Sequence, residues 1–382
     1  MMPKDRIGFY EFFAGGGMAR AGLGQDWECL FANDNDAKKA RSYLDNWGSG
    51  HFVCADIKGL SSADLPGLAK LCWASFPCQD LSLAGIGAGL SGHRSGTFWP
   101  FWQLMESLVA EGRAPDLIVL ENVYGALRSH GGADFVAISE AVAATGYRFG
   151  AIIIDAIHFV PQSRPRLFIV CVRSDITVPE STIHNGPDQR WHPAALLDAS
   201  SKLPHRIADQ WIWWNPGAPP QRTIEFMDVI EQESENLAWH AEETTQSLLA
   251  MMSETNKAKV RHVQMTGRKM VGGVYKRTRH GVQRAEVRFD VAGCLRTPTG
   301  GSSRQSILVI EGENVRSRLL SPREAARLMG LPESYKLPAN YNEAYHLAGD
   351  GLAVPAVRFL AKKILEPILR PENRCSRNKA AA

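Results

Sequence analysis

One pattern constrains this chain more than any other. Over roughly its first 175 residues, short runs of nearly continuous hydrophobicity end in glycine or polar clusters, and longer segments with helical spacing separate them. The runs are IGFYEFF (7–13), WECLFAN (27–33), HFVCAD (51–56), LCWASF (71–76), DLIVLEN (116–122), FGAIIID (149–155) and RLFIVCV (166–172). The intervening AKKARSYLDNWG, TFWPFWQLMESLVAEG and ADFVAISEAVAATG read as helices, each closed by glycine. A strand that is apolar on both sides of its pleat needs cover on both faces. The pattern therefore predicts an α/β fold built on a mostly parallel sheet.

The remainder reads differently. A chain of 382 residues has room for two domains, or for one with a large insertion. From about 176 to 300 it is rich in proline, glycine and tryptophan, and its strand and helix periodicity is weak. Charge is segregated there: Glu225 to Glu243 holds seven acids and no Lys or Arg, and Asn256 to Arg288 holds ten Lys/Arg and one acid. Regular signals return with SPREAARLMGLP, a capped helix closed by Gly330 and Pro332, and with an amphipathic helix in VPAVRFLAKKILEPIL. The opening MMPKDRIGFYEFFAGGG has no signal-peptide pattern, no run is long enough for a membrane helix, and the seven cysteines form no C-x-x-C pair. A cytoplasmic protein with reduced thiols and no membrane partner is expected.

In a parallel α/β sheet, ligands collect outside the carboxyl ends of the strands. The first run ends in Phe13-Ala-Gly-Gly-Gly17, where bare backbone lets a ligand approach. An acid, Asp34, follows about 20 residues later, suited to a ribose hydroxyl pair. The third run ends in Asp56-Ile57, an acceptor beside an apolar edge suited to adenine. Together they point to a nucleoside-containing cofactor. No G-x-x-x-x-G-K-[ST] occurs, which argues against a P-loop. The fourth run ends in Pro77-Cys78-Gln79 and the fifth in Glu121-Asn122-Val123. Alone, Cys78 reads as a packed small hydrophobe and Glu121 as a cap or ion-pair partner. Together at one sheet edge they make a nucleophile and a proton donor or acceptor. Gln162-Ser-Arg164-Pro-Arg166 precedes the last run, and its arginines are either solvated charges or a clamp for a ligand oxygen or phosphate.

These elements, in this order, resemble the DNA (cytosine-5-)-methyltransferase family of the prokaryotic restriction-modification type. FAGGG, PCQ, ENV, QSRPR, RLLSPREAARLMGLP and Gly349-Asp-Gly-Leu-Ala-Val-Pro355 stand in the family's motif order across most of the chain. The resemblance implies a Rossmann-like S-adenosylmethionine-dependent methyltransferase sheet with a smaller, irregular target-recognition domain. Its expected boundaries are 1–178 for the first catalytic part, 179–335 for target recognition and 336–382 for the return to the catalytic domain. It implies that Cys78 attacks C6 of a flipped cytosine, that Glu121 hydrogen-bonds or protonates N3, and that Arg164 and Arg166 orient the base, Arg166 at the O2 side. The cofactor would be S-adenosyl-L-methionine, leaving as S-adenosyl-L-homocysteine, with no metal. Phe12, Ala14, Gly15, Gly17, Asp34, Asp56, Ile57, Phe76, Pro77, Asp350 and Leu352 would hold it. Gln79, Ser82, Arg94, Arg277 and Arg279 would meet double-stranded DNA, and residues 83–97 would form a lid. A cognate restriction endonuclease sharing the site is a further expected partner, and the enzyme is expected to be a monomer.

Three positions depart from the family pattern: Glu11 and Asp350 where aspartate and asparagine are usual, and Met18 where a further glycine often stands. Three rival readings remain. A tRNA cytosine methyltransferase of the same fold lacks support from a Cys-Phe-Thr element, which is absent. A catalytically silent DNA-binding relative would not need Cys78, Glu121, Arg164 and Arg166. An α/β enzyme of other chemistry leaves the motif order unexplained.

Overall fold

The computed structural model describes residues 6–77, 96–231, 238–279, 281–296 and 304–370. The seven apolar runs form one sheet: β1 (Ile7–Phe12), β2 (Trp27–Asp34), β3 (Phe52–Cys54), β4 (Leu71–Ala74), β5 (Leu117–Val123), β6 (Tyr147–Asp155) and β7 (Pro165–Arg173). Their order is β3-β2-β1-β4-β5-β7-β6. The β1–β2, β2–β3, β1–β4 and β4–β5 pairs are parallel, and β5–β7 is antiparallel. The reversal has a functional consequence. It sets the start of β7, rather than its end, beside the end of β5, with Val123 opposite Arg166 and Glu121 opposite Phe168.

Packing explains why these runs form a sheet. Leu71, Cys72, Trp73 and Ala74 are all fully buried, as are Leu117, Ile118 and Val119. Helices α1 (Met18–Leu23), α2 (Ala37–Trp47), α3 (Phe98–Ala110) and α4 (Ala133–Ala144) occupy the crossovers. Phe98, Phe101, Trp102, Met105 and Leu108 of α3 join Tyr10, Phe12, Cys72 and Ile118 in one apolar core. Burying a side chain of this size contributes about 1.5–3 kcal/mol.

The chain divides into two compact units. The first joins Met1–Ile154, Pro165–Pro219 and Val357–Ala382, and the second joins Asp155–Arg164 and Pro220–Ala356. The first boundary differs from the expected 178/179 because residues 179–219 are built onto the large sheet, and the second falls at 356/357 in place of 335/336. Trp191 and Trp214 are fully buried. The indole of Trp214 donates to Val170 O at 3.1 Å, and Ile153 N donates to Trp191 O at 2.8 Å. The backbone at Ile212 crosses β6 so closely that a Cβ on Gly150 would lie 1.8 Å from Ile212 O, so only glycine fits there. Helix α5 (Ala194–Ser201) belongs to the same layer.

The second unit carries an antiparallel sheet of β8 (Met270–Arg279), β9 (Val282–Arg288), β10 (Ser306–Glu311) and β11 (Asn314–Leu319), ordered β9-β8-β10-β11. Helices α6 (Glu242–Ala250) and α7 (Glu254–Met265) cover it through Leu248, Val260 and Val263, packed on Val274, Val287 and Leu308. The basic run is therefore regular, although its sequence shows no helical stripe. Helix α8 (Pro322–Leu328) has the expected cap: Ser321 Oγ accepts from Glu324 N, and Glu324 accepts from Ser321 N. Glu324 is also paired with Arg318 at 2.6 Å, both buried. Helices α9 (Tyr341–Asp350) and α10 (Val354–Leu360) follow. Among the described residues no helix is long and apolar enough to cross a membrane.

Candidate active site

The glycine loop leaves β1 in a conformation that few residues adopt. Phe13 has φ 56°, Gly15 55° and Gly17 76°. A non-glycine residue at positive φ costs about 1–3 kcal/mol and persists where its surroundings fix it. Here they do. Ala14 N donates to Asn33 O at 2.9 Å, Gly15 N to Asp34 Oδ2 at 2.8 Å, and Gly17 N to Ala14 O at 2.8 Å. The other oxygen of Asp34 accepts from Asp36 N at 2.9 Å. Asp34 thus ties the loop to the end of β2, and a carboxylate retains lone pairs for a further donor. A Cβ on Gly15 would meet nothing within 4 Å, so the loop backbone has open space above it. The neighbouring Asn33 amide draws in β3 through Val53 O and Ala55 O.

The other residues expected at the cofactor are placed unevenly. Asp56 is exposed at the end of β3 and accepts from Lys58 N. Ile57 is 3 % exposed and belongs to the core. Phe76 packs on Phe98 with ring centroids 5.3 Å apart, and Pro77 is exposed. Phe12 is turned into the core, with its ring 5.1 Å from that of Phe101, and the Phe13 ring lies 6.4 Å from the same side chain. Asp350 and Leu352 lie in the second unit, at and just beyond the end of α9. Glu11 is buried, and burial pushes its carboxyl up to about 8 against the opposing pull of the Arg20 N–H and charge. One of its oxygens accepts from Arg20 N at 3.3 Å, and the other has no partner among the described residues.

At the end of β5 two neighbouring side chains are fixed, one on the backbone beyond β4 and one on β7. The Asn122 amide donates to Phe76 O at 3.0 Å, which holds the backbone two residues before Cys78. The ENV motif contained this residue, but nothing in its spacing shows what the amide grips. Glu121 Oε1 lies 3.4 Å from Arg166 Nε, and both side chains are largely buried. Cys78, Gln79, Ser82, Arg94 and most of the expected lid lie outside the described residues.

Arg164 is placed otherwise than expected. It is 1 % exposed, and its guanidinium donates to Leu295 O at 2.8 Å, Gly349 O at 2.6 Å and Gly351 O at 2.7 Å. Gln162, also buried, donates to Leu328 O at 2.8 Å and accepts from Leu295 N at 3.1 Å. Within the second unit these two residues gather three distant segments, a framework role in place of the base contact expected of Arg164. Charge-assisted bonds from a buried guanidinium to carbonyls are strong and expensive to break. Arg277 is exposed on β8, directly opposite Arg284 on β9, with its guanidinium carbon 5.0 Å from the Tyr275 ring centre. Arg279 lies opposite Val282 in the same ladder.

The fold agrees with comparisons to known proteins. The profile of the C-5 cytosine-specific DNA methylase family matches residues 7–366. The chain is 24 % identical over 364 residues to the Type II methyltransferase M.HhaI of Haemophilus parahaemolyticus, covering 93 % of each. It is 26 % identical to the Type II methyltransferase M.HpaII of Haemophilus parainfluenzae, covering 96 % of this chain and 91 % of that one. Its fold is similar to that of the S. pombe Dnmt2 methyltransferase, with a TM-score of 0.59 at 18 % identity, covering 96 % of this chain and 100 % of that one. With its family's methyl donor, S-adenosylmethionine, and its family's substrate, DNA, the chain belongs to the C-5 cytosine-specific DNA methylases and is a DNA cytosine-C5 methyltransferase.

Proposed function

We propose that the enzyme methylates one cytosine within a specific double-stranded sequence, through a covalent bond from Cys78 to C6 of a base turned out of the helix. The observation that carries this reading is the Glu121–Arg166 pair at the strand edge where Asn122 fixes the approach to Cys78. C5 of cytosine is a weak nucleophile. Addition of the Cys78 thiolate forms an S–C6 bond and moves the C5–C6 π electrons toward C5. Glu121 hydrogen-bonds or protonates N3 and so stabilises the electron-rich ring, and Arg166 holds Glu121 and faces O2. Loss of the C5 proton after methylation restores the double bond and expels the thiolate. Neither ring carbon is reachable in a stacked duplex, so the base must flip.

The glycine loop fits the cofactor through its open backbone, and Asp34 and Asp56 offer acceptors for its hydroxyls. S-adenosylmethionine supplies the methyl group when bound and leaves as S-adenosylhomocysteine, and the proposed chemistry uses no metal. Asp350 is an acceptor-only group where the family has an amide. Asp350→Asn is expected to tighten cofactor binding in calorimetric titration; an affinity equal to the parent's would exclude Asp350 from cofactor recognition.

The second unit is proposed to read DNA. Arg277 and Arg284 are like charges set directly opposite, with Glu286 Oε1 4.0 Å from Arg277 Nε as a partial counterion, and a polyanion would offset the remaining positive charge. A cleft of about 440 Å³ lies beside them, lined by Ser253, Asn256 and Glu286 among others. Arg277→Ala is expected to weaken duplex binding and to lower the slope of log K against log salt by about 1. An unchanged slope in a fluorescence-anisotropy salt series would remove Arg277 from the DNA interface. We further propose that the protein acts as a cytoplasmic monomer, alongside an endonuclease that cuts the same unmethylated site. Tritiated S-adenosylmethionine with duplex DNA, single-stranded DNA or tRNA tests the whole reading, because label on tRNA alone overturns it.

A further inference from the structure

One residue of the second unit runs against its surroundings. Glu286 is the single acid between Asn256 and Arg288, among ten Lys/Arg. Strand β9 buries Ala285 and Val287 in the apolar core and turns Arg284, Glu286 and Arg288 to its other face. Across the ladder Glu286 stands opposite Tyr275, and Arg284 stands opposite Arg277. Glu286 Oε2 accepts from the Tyr275 hydroxyl, and Oε1 lies 4.0 Å from Arg277 Nε. The Arg277 guanidinium carbon lies 5.0 Å from the Tyr275 ring centre. Glu286 therefore sits in the wall of the 440 Å³ cleft together with Arg277, Arg284 and Asn256.

Stability does not explain this acid. The Arg277 and Glu286 side chains are 48 % and 36 % exposed, and an exposed ion pair at that distance contributes little. Phosphates repel a carboxylate, so an acid on a DNA-reading face is unfavourable unless a donor meets it. On the major-groove edge, cytosine N4 is the donor from which a carboxylate accepts. Guanine N7 and O6 and thymine O4 are acceptors that it repels, and adenine couples its N6 donor to the N7 acceptor. The Tyr275 hydroxyl fixes one carboxylate oxygen, and the other has the lone pairs to accept a further N–H beside Arg277. We propose that Glu286 is a specificity-determining residue that accepts a hydrogen bond from N4 of one cytosine of the recognition sequence, distinct from the methylated one. The inference rests on the reading of the second unit as the part that binds DNA. Arg277 and Arg284 attract the duplex, and Glu286 makes that attraction selective.

Bisulfite sequencing of DNA methylated by the parent protein gives the recognition sequence. Competition with duplexes changed at one base pair at a time then gives the selectivity at each position. At one C·G pair outside the target, the parent should prefer cytosine about five- to 150-fold, the worth of a good base contact. Glu286→Gln offers a donor as well as an acceptor, so adenine becomes acceptable there. Selectivity at that pair should fall about fivefold or more, while other positions move less than about twofold. N4-methylcytosine at the same position replaces the groove-facing hydrogen; it should weaken binding by the parent about tenfold and leave Glu286→Ala unaffected. Should Glu286→Gln not fold, Tyr275→Phe keeps the carboxylate and removes its brace, and is expected to lower selectivity at that pair about two- to fivefold. A parent profile without such a cytosine, an unchanged profile in Glu286→Gln, or a gain in affinity equal for all sequences would overturn the proposal. If Arg277→Ala and Arg284→Ala both keep the parent's salt slope, the DNA-binding assignment of this face fails instead.

Discussion

Cys78→Ala is expected to abolish methyl transfer to duplex DNA, with a rate loss of about 10⁴-fold or more, while cofactor binding is retained. The size of the effect follows from the chemistry. Without addition at C6, C5 carries no enamine character, and no other group described at this edge is a nucleophile. The described framework up to Phe76 does not depend on Cys78: β4 is held by its neighbours, and Phe76 O by Asn122. The variant should therefore fold. A duplex carrying 5-fluorocytosine gives a direct check, because fluorine cannot leave C5 as a proton. Wild type should form a denaturant-stable complex with that duplex, and Cys78→Ala should form none. Methylation by the variant at more than about a tenth of the wild-type rate would remove Cys78 from the mechanism.

Glu121→Gln is expected to lower kcat by about 10²–10⁴-fold, the usual worth of a positioned proton donor or acceptor. The amide keeps the size of the carboxyl and loses both its charge and its proton chemistry. It also leaves the largely buried Arg166, now 3.4 Å from a carboxylate oxygen, without its counterion. A stability loss of about 1–3 kcal/mol should accompany the kinetic one. Urea unfolding separates the two effects, and single-turnover methylation at saturating cofactor measures the chemical step. If Glu121 acts at N3, complex formation with the 5-fluorocytosine duplex should slow by a similar factor. A kcat loss below about tenfold would leave Glu121 a structural partner of Arg166 only.

Much of the first unit was legible because hydrophobic continuity is a local property. All seven strands fall where apolar runs stand; β1, β3 and β4 stop short of their runs, β3 most, at Phe52–Cys54 within 51–56. Helix α7 escaped notice because lysines and arginines dilute its apolar stripe, leaving Val260 and Val263 as its buried contacts. Residues 179–219 were read with the irregular segment because proline and glycine punctuate them. Their attachment to the sheet rests on Trp191, Trp214 and the bare backbone of Gly150, which are long-range contacts that no periodicity encodes. Arg164 and Arg166 look equivalent in QSRPR. One is consumed by carbonyls of Leu295, Gly349 and Gly351, and the other faces Glu121.

The sequence by itself determined the alternation of strands and helices, the identity of the groups at the strand ends and their order along the chain. These follow from side-chain polarity and from the few residues that tolerate tight turns. The direction of β7 was decided only in three dimensions. An apolar strand fits a sheet core in either sense, and its hydrogen-bonding partners are chosen by the whole packed layer. Because β7 runs antiparallel to β5, its first residues reach the carboxyl edge of the sheet, and Arg166 arrives beside Glu121. The hydrogen bond from the Trp47 indole at the end of α2 to Gly16 O has the same origin, since it joins positions 31 residues apart.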